Sequence, residues 1–191
     1  GLKTSAEARA KQLEVASQLE LTNSLISFVS RQGNYQVIPN NIGLDNLNIN
    51  IAKKTSARIY ELSDFLINIL KIDDVGATFN GKVTYHDSCA ALRECNVKTE
   101  PRKLLSKVKG LELVEMNDVE TCCGFGGSFA VKFEPISIAM GDQKTTKAAA
   151  TGAEYIISTD MSCLMHIDGC LTHKHSGLKV LHLADVLASE A

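Results

Sequence analysis

Three short runs with β-branched or aromatic character are each followed by cysteine. Lys82–His86 leads to Cys89, Leu111–Glu115 to the adjacent pair Cys122-Cys123, and Tyr155–Thr159 to Cys163, while a fourth run, Lys179–Leu183, closes the series. Such runs read as strands. Between and after them lie helical stretches at Pro101–Val108, Pro135–Ala150, Leu164–Lys174 and Ala184–Glu190. Pro101 and Pro135 fit first-turn positions, where a missing N–H costs nothing, and Gly152 follows the long helix as a stop signal. Strands alternating with helices predict an α/β fold, a parallel sheet of about four strands with helices on both faces and right-handed crossovers, Rossmann-like in plan. Ligands of open parallel sheets gather outside the carboxyl ends of the strands, so this fold would bring three sequence-distant cysteine segments to one edge.

The thiols suggest what is gathered there. Adjacent cysteines are poor disulfide partners, because the trans peptide between them holds their Cα atoms about 3.8 Å apart, below the usual disulfide range. Convergence as thiolates on a soft metal or an iron-sulfur cluster is the simpler use of Cys89, Cys122, Cys123 and Cys163. Gly124, Gly126 and Gly127 follow the pair directly. They tolerate positive φ and let backbone amides approach an anionic group with no Cβ in the way. Cys95 and Cys170, the remaining two of the six cysteines, read equally well as small buried hydrophobes. His166 stands three residues after Cys163, so on a helical turn both face one site, with the imidazole as a ligand or as a donor to a sulfur. His86 is placed to orient or acidify the thiol that follows it, or to serve as a hydrogen-bonded strand end. His182 reads as structural, and His173 and His175 as solvated loop residues.

The same residues carry a family resemblance. The segments Ala57-Arg58-Ile59-Tyr60-Glu61-Leu62-Ser63-Asp64-Phe65-Leu66, Tyr85-His86-Asp87-Ser88-Cys89, Cys122-Cys123-Gly124-Phe125-Gly126-Gly127, Thr151-Gly152-Ala153 and Ser158-Thr159-Asp160-Met161-Ser162-Cys163-Leu164-Met165-His166 are the ones that match. From about Ile51 to Ala191 the chain resembles the C-terminal half of the lactate-utilisation iron-sulfur protein A family. That family lies within the cysteine-rich CCG group, which includes a component of heterodisulfide reductase and the iron-sulfur component of glycolate oxidase. Members of the group usually carry two such cysteine domains, whereas this chain has one Cys-Cys-Gly, and Cys163-Leu164-Met165-His166 stands where the wider group has Cys-x-x-Cys. The resemblance implies an iron-sulfur redox component of an L-lactate (2-hydroxy acid) oxidation complex, relaying electrons as a subunit rather than binding lactate itself. It implies a cluster of the 4Fe-4S type on Cys89, Cys122, Cys123 and Cys163, amide access from Gly124 to Gly127, tuning or completion by His166, and the other subunits of the complex as partners.

Residues 51–191 are expected to form this domain, opened by a helix over Lys53–Leu70 whose stripe of Ile59, Leu62, Phe65, Leu66 and Ile69 would pack on the core. Residues 1–50 read as an N-terminal helix over Thr4–Ser30 and an asparagine-rich connection over Gly33–Asn50. That amphipathic helix offers a surface for a homodimer, and Gly1 in place of methionine fits a piece of a longer protein. A net charge of −2 gives no reason to expect nucleic acid, and no apolar run approaches the roughly 18 residues of a membrane helix. The expected location is the cytoplasm, where cysteines serve metal or redox chemistry rather than disulfide frameworks. Two other functions remain open at this point: a structural zinc scaffold, with three Cys and His166 closing a tetrahedral site, and a thiol-disulfide redox protein using the vicinal pair. A dinucleotide fingerprint is excluded by Phe129 where its third glycine belongs.

Overall fold

Alternation along the strands decides which side chains each face of the sheet buries, since successive residues point to opposite sides. The computed structural model describes residues 54–190. The expected helix over Thr4–Ser30 and its connection lie outside them. From Tyr60 onward the chain forms one compact unit.

Four strands, β1 (Thr78–Tyr85), β2 (Lys109–Leu113), β3 (Tyr155–Ser158) and β4 (Lys179–His182), make a sheet in the order β2-β1-β3-β4. Every pair is parallel. Val83 lies opposite both Leu113 of β2 and Tyr155 of β3, and Ile157 opposite Leu181 of β4. The α/β parallel sheet read from the sequence is the observed one. The helices of the unit are α1 (Leu62–Asp64), α2 (Glu100–Leu105), α3 (Ser128–Lys132), α4 (Glu134–Ala149), α5 (Met161–His173) and α6 (Leu183–Leu187), with π-helical turns at Phe65–Leu70 and Ala90–Glu94.

Val83, Tyr85 and Ile157 point to one face and bury themselves with Leu105, Val108, Leu183 and Val186, beneath α2 and α6. Ile156 points to the other and packs with Ala148, Cys163, Ile167 and Leu171, beneath α4 and α5. Helices thus cover both faces. The chain leaves β1 for β2 on one side and then crosses to β3 on the other, so the strand order reverses between β1 and β3. That is the point of an open α/β sheet where a crevice opens for ligands.

Two expectations change. The helix over Lys53–Leu70 is not continuous: Glu61 has an extended backbone, and its carboxylate accepts from the amides of Ser63 (2.8 Å) and Asp64 (3.2 Å), starting a new helix at Leu62. Leu62, Phe65 and Ile69 of the proposed stripe are exposed rather than packed on the core. The helix placed at Leu164 begins instead at Met161, because Asp160 caps it, accepting from the amides of Ser162 (2.9 Å) and Cys163 (3.2 Å). Cys163 therefore sits in the first turn of α5. No helix among the described residues is long and apolar enough to cross a membrane.

Candidate metal centre

The carboxyl end of β1 is held unusually firmly. His86 continues the strand by donating its N–H to Ile157 (2.8 Å), and its carbonyl accepts from the Ser158 hydroxyl (3.0 Å), so its backbone is fixed to β3 on both sides. Asp87 is buried and takes a two-pronged bond from Arg102 of α2, at 2.9 and 3.0 Å. Arg102 also donates to both carboxylate oxygens of Glu115, at 2.6 and 3.0 Å, and lies 5.0 Å from the Tyr85 ring centre. Despite partial burial, these two carboxylates raise the guanidinium pKa further above its already high range. Ser88 Oγ accepts from the Ala91 amide at 3.2 Å, which turns the chain outward at Cys89. Cys89 is exposed.

The second segment is shaped by its glycines. Gly124, Gly126 and Gly127 have φ of 97°, 52° and 55°, the left-handed region that side chains disfavour. At Gly124 space is also decisive, since a Cβ there would lie 2.5 Å from the Ser137 carbonyl oxygen. The loop instead closes on α4, with the Ser137 hydroxyl donating to the Gly124 carbonyl at 2.7 Å. Backbone amides do meet sulfur here: Gly124 N–H donates to Cys122 Sγ at 3.4 Å. Upstream, the loop is anchored by Lys144, a buried lysine of α4 whose ammonium donates to the carbonyls of Asp118 (3.1 Å) and Val119 (3.0 Å). Burial, with Lys147 nearby, brings its pKa down to about 8.

These elements bring the first, second and third cysteine segments together. Cys123 and Cys163 are buried and Cys122 half-buried. One ligand atom each of His86, Cys123 and Cys163 all lie within 4.8 Å of one another. The Cys163 thiol favours the thiolate of Cys123 against the cost of burial, nearby His86 adds to this, and Cys123 is pushed well below the usual thiol range. Cys163, donating to that thiolate and itself buried, is pushed up. Burial raises Cys89 as well, with the charges of Cys122 and Cys123 adding to it, and neither Cys89 nor Cys122 belongs to the close group of His86, Cys123 and Cys163.

The donor chemistry fits a metal. Two thiols and an imidazole are ligands for zinc or an iron-sulfur centre rather than for calcium or magnesium. Moreover, neither ring nitrogen of the wholly buried His86 reaches a partner at hydrogen-bonding geometry among the described residues. An unpaired buried donor or acceptor costs about 1–3 kcal/mol, so a site that leaves both nitrogens unspent is built for another ligand.

His166 takes a different position. Its Nε2 lies 3.2 Å from the Ser137 carbonyl oxygen and 3.5 Å from the Ser137 hydroxyl, in the packing between α5 and α4. It is not in the His86, Cys123 and Cys163 group. His182 is structural, its Nδ1 accepting from the Ala184 amide (3.1 Å) while Nε2 donates to the Thr159 carbonyl (3.1 Å). Cys170 is buried and faces Gly141, where a Cβ would lie 2.5 Å from its sulfur, and Cys95 is exposed. Sequence reasoning missed Arg102, Ser137 and Lys144, none of which sits in a motif. It also missed the cap Asp160, for which an acidic residue just before a helical stretch was an available signal.

Known proteins resemble this chain over the same residues. Residues 83–168 match the family described as CCG, cysteine-rich domain. Lactate utilization protein A of Bacillus subtilis (strain 168) is 49% identical over 138 residues, 72% of this chain and 58% of that protein. The proteins of the same name from Geobacillus kaustophilus (strain HTA426) and Halalkalibacterium halodurans are 45% and 47% identical over 136 residues, 57% and 56% of their lengths. The chain thus spans somewhat more than half the length of the relatives it matches.

Proposed function

We propose that this chain, whose residues 83–168 carry a cysteine-rich domain of the CCG family, is an iron-sulfur electron-relay component of a lactate-utilisation system. The observation that carries the proposal is the convergence of side chains from three strand ends, His86 after β1, Cys123 after β2 and Cys163 after β3, with the imidazole lacking a hydrogen-bond partner among the described residues. The relatives' name suggests lactate, and the soft donor set suggests the metal. A bound cluster would supply one-electron transfer. The buried Cys123 and Cys163, with the more exposed Cys122 and Cys89, would hold it, and the Gly124 amide would stabilise negative charge on the Cys122 sulfur.

The chain's own residues point to a relay rather than a catalyst. Lys144 puts a buried positive charge behind the loop, which offsets the charge of the thiolates. The inner thiols are shielded from water, while Cys89 faces outward, where a partner subunit of the same system would dock for electron exchange. A homodimer is the other arrangement, and the cytoplasm is the proposed location. Zinc is the second reading, favoured by the same His-Cys-Cys group, which matches the start of a tetrahedral site.

The test is metal analysis with a visible spectrum on anaerobically purified protein, alongside Cys122→Ser. Iron and acid-labile sulfide with broad visible absorbance, diminished in the variant, is the expected result. Stoichiometric zinc without colour would replace the relay by a scaffold, and absence of any metal would favour thiol-disulfide exchange of the vicinal thiols with Cys89 or Cys163.

A further inference from the structure

His86 ends the central strand of the sheet, and its position leaves it little freedom. Its amide and carbonyl are both bonded to β3, at 2.8 and 3.0 Å, and the next residue is locked by Arg102. Its ring is fully enclosed, yet neither nitrogen has a hydrogen-bond partner among the described residues. By contrast, the nitrogens of His182 bond Ala184 and Thr159, and Nε2 of His166 lies at Ser137. A strand-end imidazole whose only role was packing would be better replaced by an apolar side chain, because leaving its nitrogens buried and unpaired is costly.

What faces the ring is sulfur. One ring nitrogen and the sulfurs of Cys123 and Cys163 lie within 4.8 Å of one another. Ligand bonds of about 2.0–2.3 Å from each atom would meet at one ion after small side-chain rotations. We infer that His86 supplies an imidazole nitrogen directly to the metal held by Cys123 and Cys163, as a ligand and not as an outer hydrogen-bond donor. No acceptor among the described residues fixes the second N–H, so the tautomer is free to follow the metal. A neutral imidazole in place of a charged thiolate makes the site less negative, which raises the reduction potential of an iron-sulfur centre relative to all-thiolate ligation. The inference rests on the metal-site reading above and assigns it a mixed nitrogen-sulfur donor set.

The probe is Co2+ alone, added anaerobically to the full chain and read by X-ray absorption and pulsed EPR. The wild-type protein is expected to show an imidazole nitrogen together with a sulfur shell, and His166→Gln is expected to keep that nitrogen. His86→Cys should bind Co2+ with the nitrogen signature gone. His86→Ala should lose Co2+ affinity by more than the roughly 10–100-fold that removal of an outer partner costs. A wild-type chain that binds no Co2+, a Co2+ site without imidazole nitrogen, or a nitrogen signal that survives in His86→Cys or vanishes in His166→Gln overturns the inference. Should the His86 variants fail to fold, wild type and His166→Gln still decide it. Reconstitution with iron and sulfide tests the cluster separately: a nitrogen-bearing Co2+ site in a chain that assembles no cluster would sink the relay and leave His86 a ligand.

Discussion

Two of the three segments that deliver this site are held by different physics. The segment His86–Cys89 is fixed by charge and by strand pairing: a buried carboxylate, a guanidinium shared between Asp87 and Glu115, and bonds to β3 on either side of His86. The loop Cys122–Gly127 has no ion pair of its own and is fixed by backbone conformation, with three glycines at positive φ and a carbonyl accepting from Ser137. A rigid strand end can carry a side chain that must not move, such as His86. A glycine loop can press backbone amides against sulfur, which no side-chain-bearing loop can do as closely.

The contrast breaks first at Arg102. Arg102→Met leaves Asp87 buried without its partner, and loss of one member of such a pair costs about 3–5 kcal/mol, somewhat less here because Arg102 is partly exposed. Chemical denaturation should show this loss, with weaker retention of metal following from displacement of His86. In the loop, Gly124→Ala combines an unfavourable φ with a Cβ 2.5 Å from a backbone oxygen, and a loss of about 2–3 kcal/mol is expected. Amide exchange should localise the damage to the loop and α4, leaving β1 and β3 protected. Uniform loss of protection in either variant would show that the two segments fold as one piece.

A finer measurement uses pH. Burial lowers Lys144 from its usual range to about 8, so between roughly pH 8 and 10.5 the unfolded chain binds a proton that the folded one does not. Stability from this group therefore rises with pH across that window, by at most about 1.4 kcal/mol per unit. Below pH 8 its burial cost is present in full. Paired denaturation curves of the wild type and Lys144→Met should diverge in favour of the wild type as pH rises through the window, and parallel curves would show that Lys144 titrates normally. Smallest of all is Ser137→Ala, which removes one hydrogen bond to Gly124 at about 1 kcal/mol.

Much of this architecture was legible beforehand. The runs at Lys82, Tyr155 and Lys179 mark observed strands, although β1 begins earlier, at Thr78, and β2 runs Lys109–Leu113 rather than Leu111–Glu115. Strand edges are set by pairing with neighbours, which local composition does not record. The break at Glu61 escaped a pattern built on apolar spacing alone, since it depends on one carboxylate turning back onto two amides. Arg102 and Lys144 lay within stretches read as ordinary helices, where a charged residue reads as a solvated face until the partner elements are in place.

The sequence by itself determined that three thiol-bearing segments follow three parallel strands and so share one sheet edge, because strand period, helix signals and connection handedness are local or nearly universal rules. It determined equally that glycine follows the vicinal pair. Only the tertiary structure decided which groups face one another: His86 against Cys123 and Cys163, and His166 beside Ser137. Spacing along the chain fixes which residues can meet, but the direction of a buried ring is chosen by the strand order, the helix packing and the ion pairs around it.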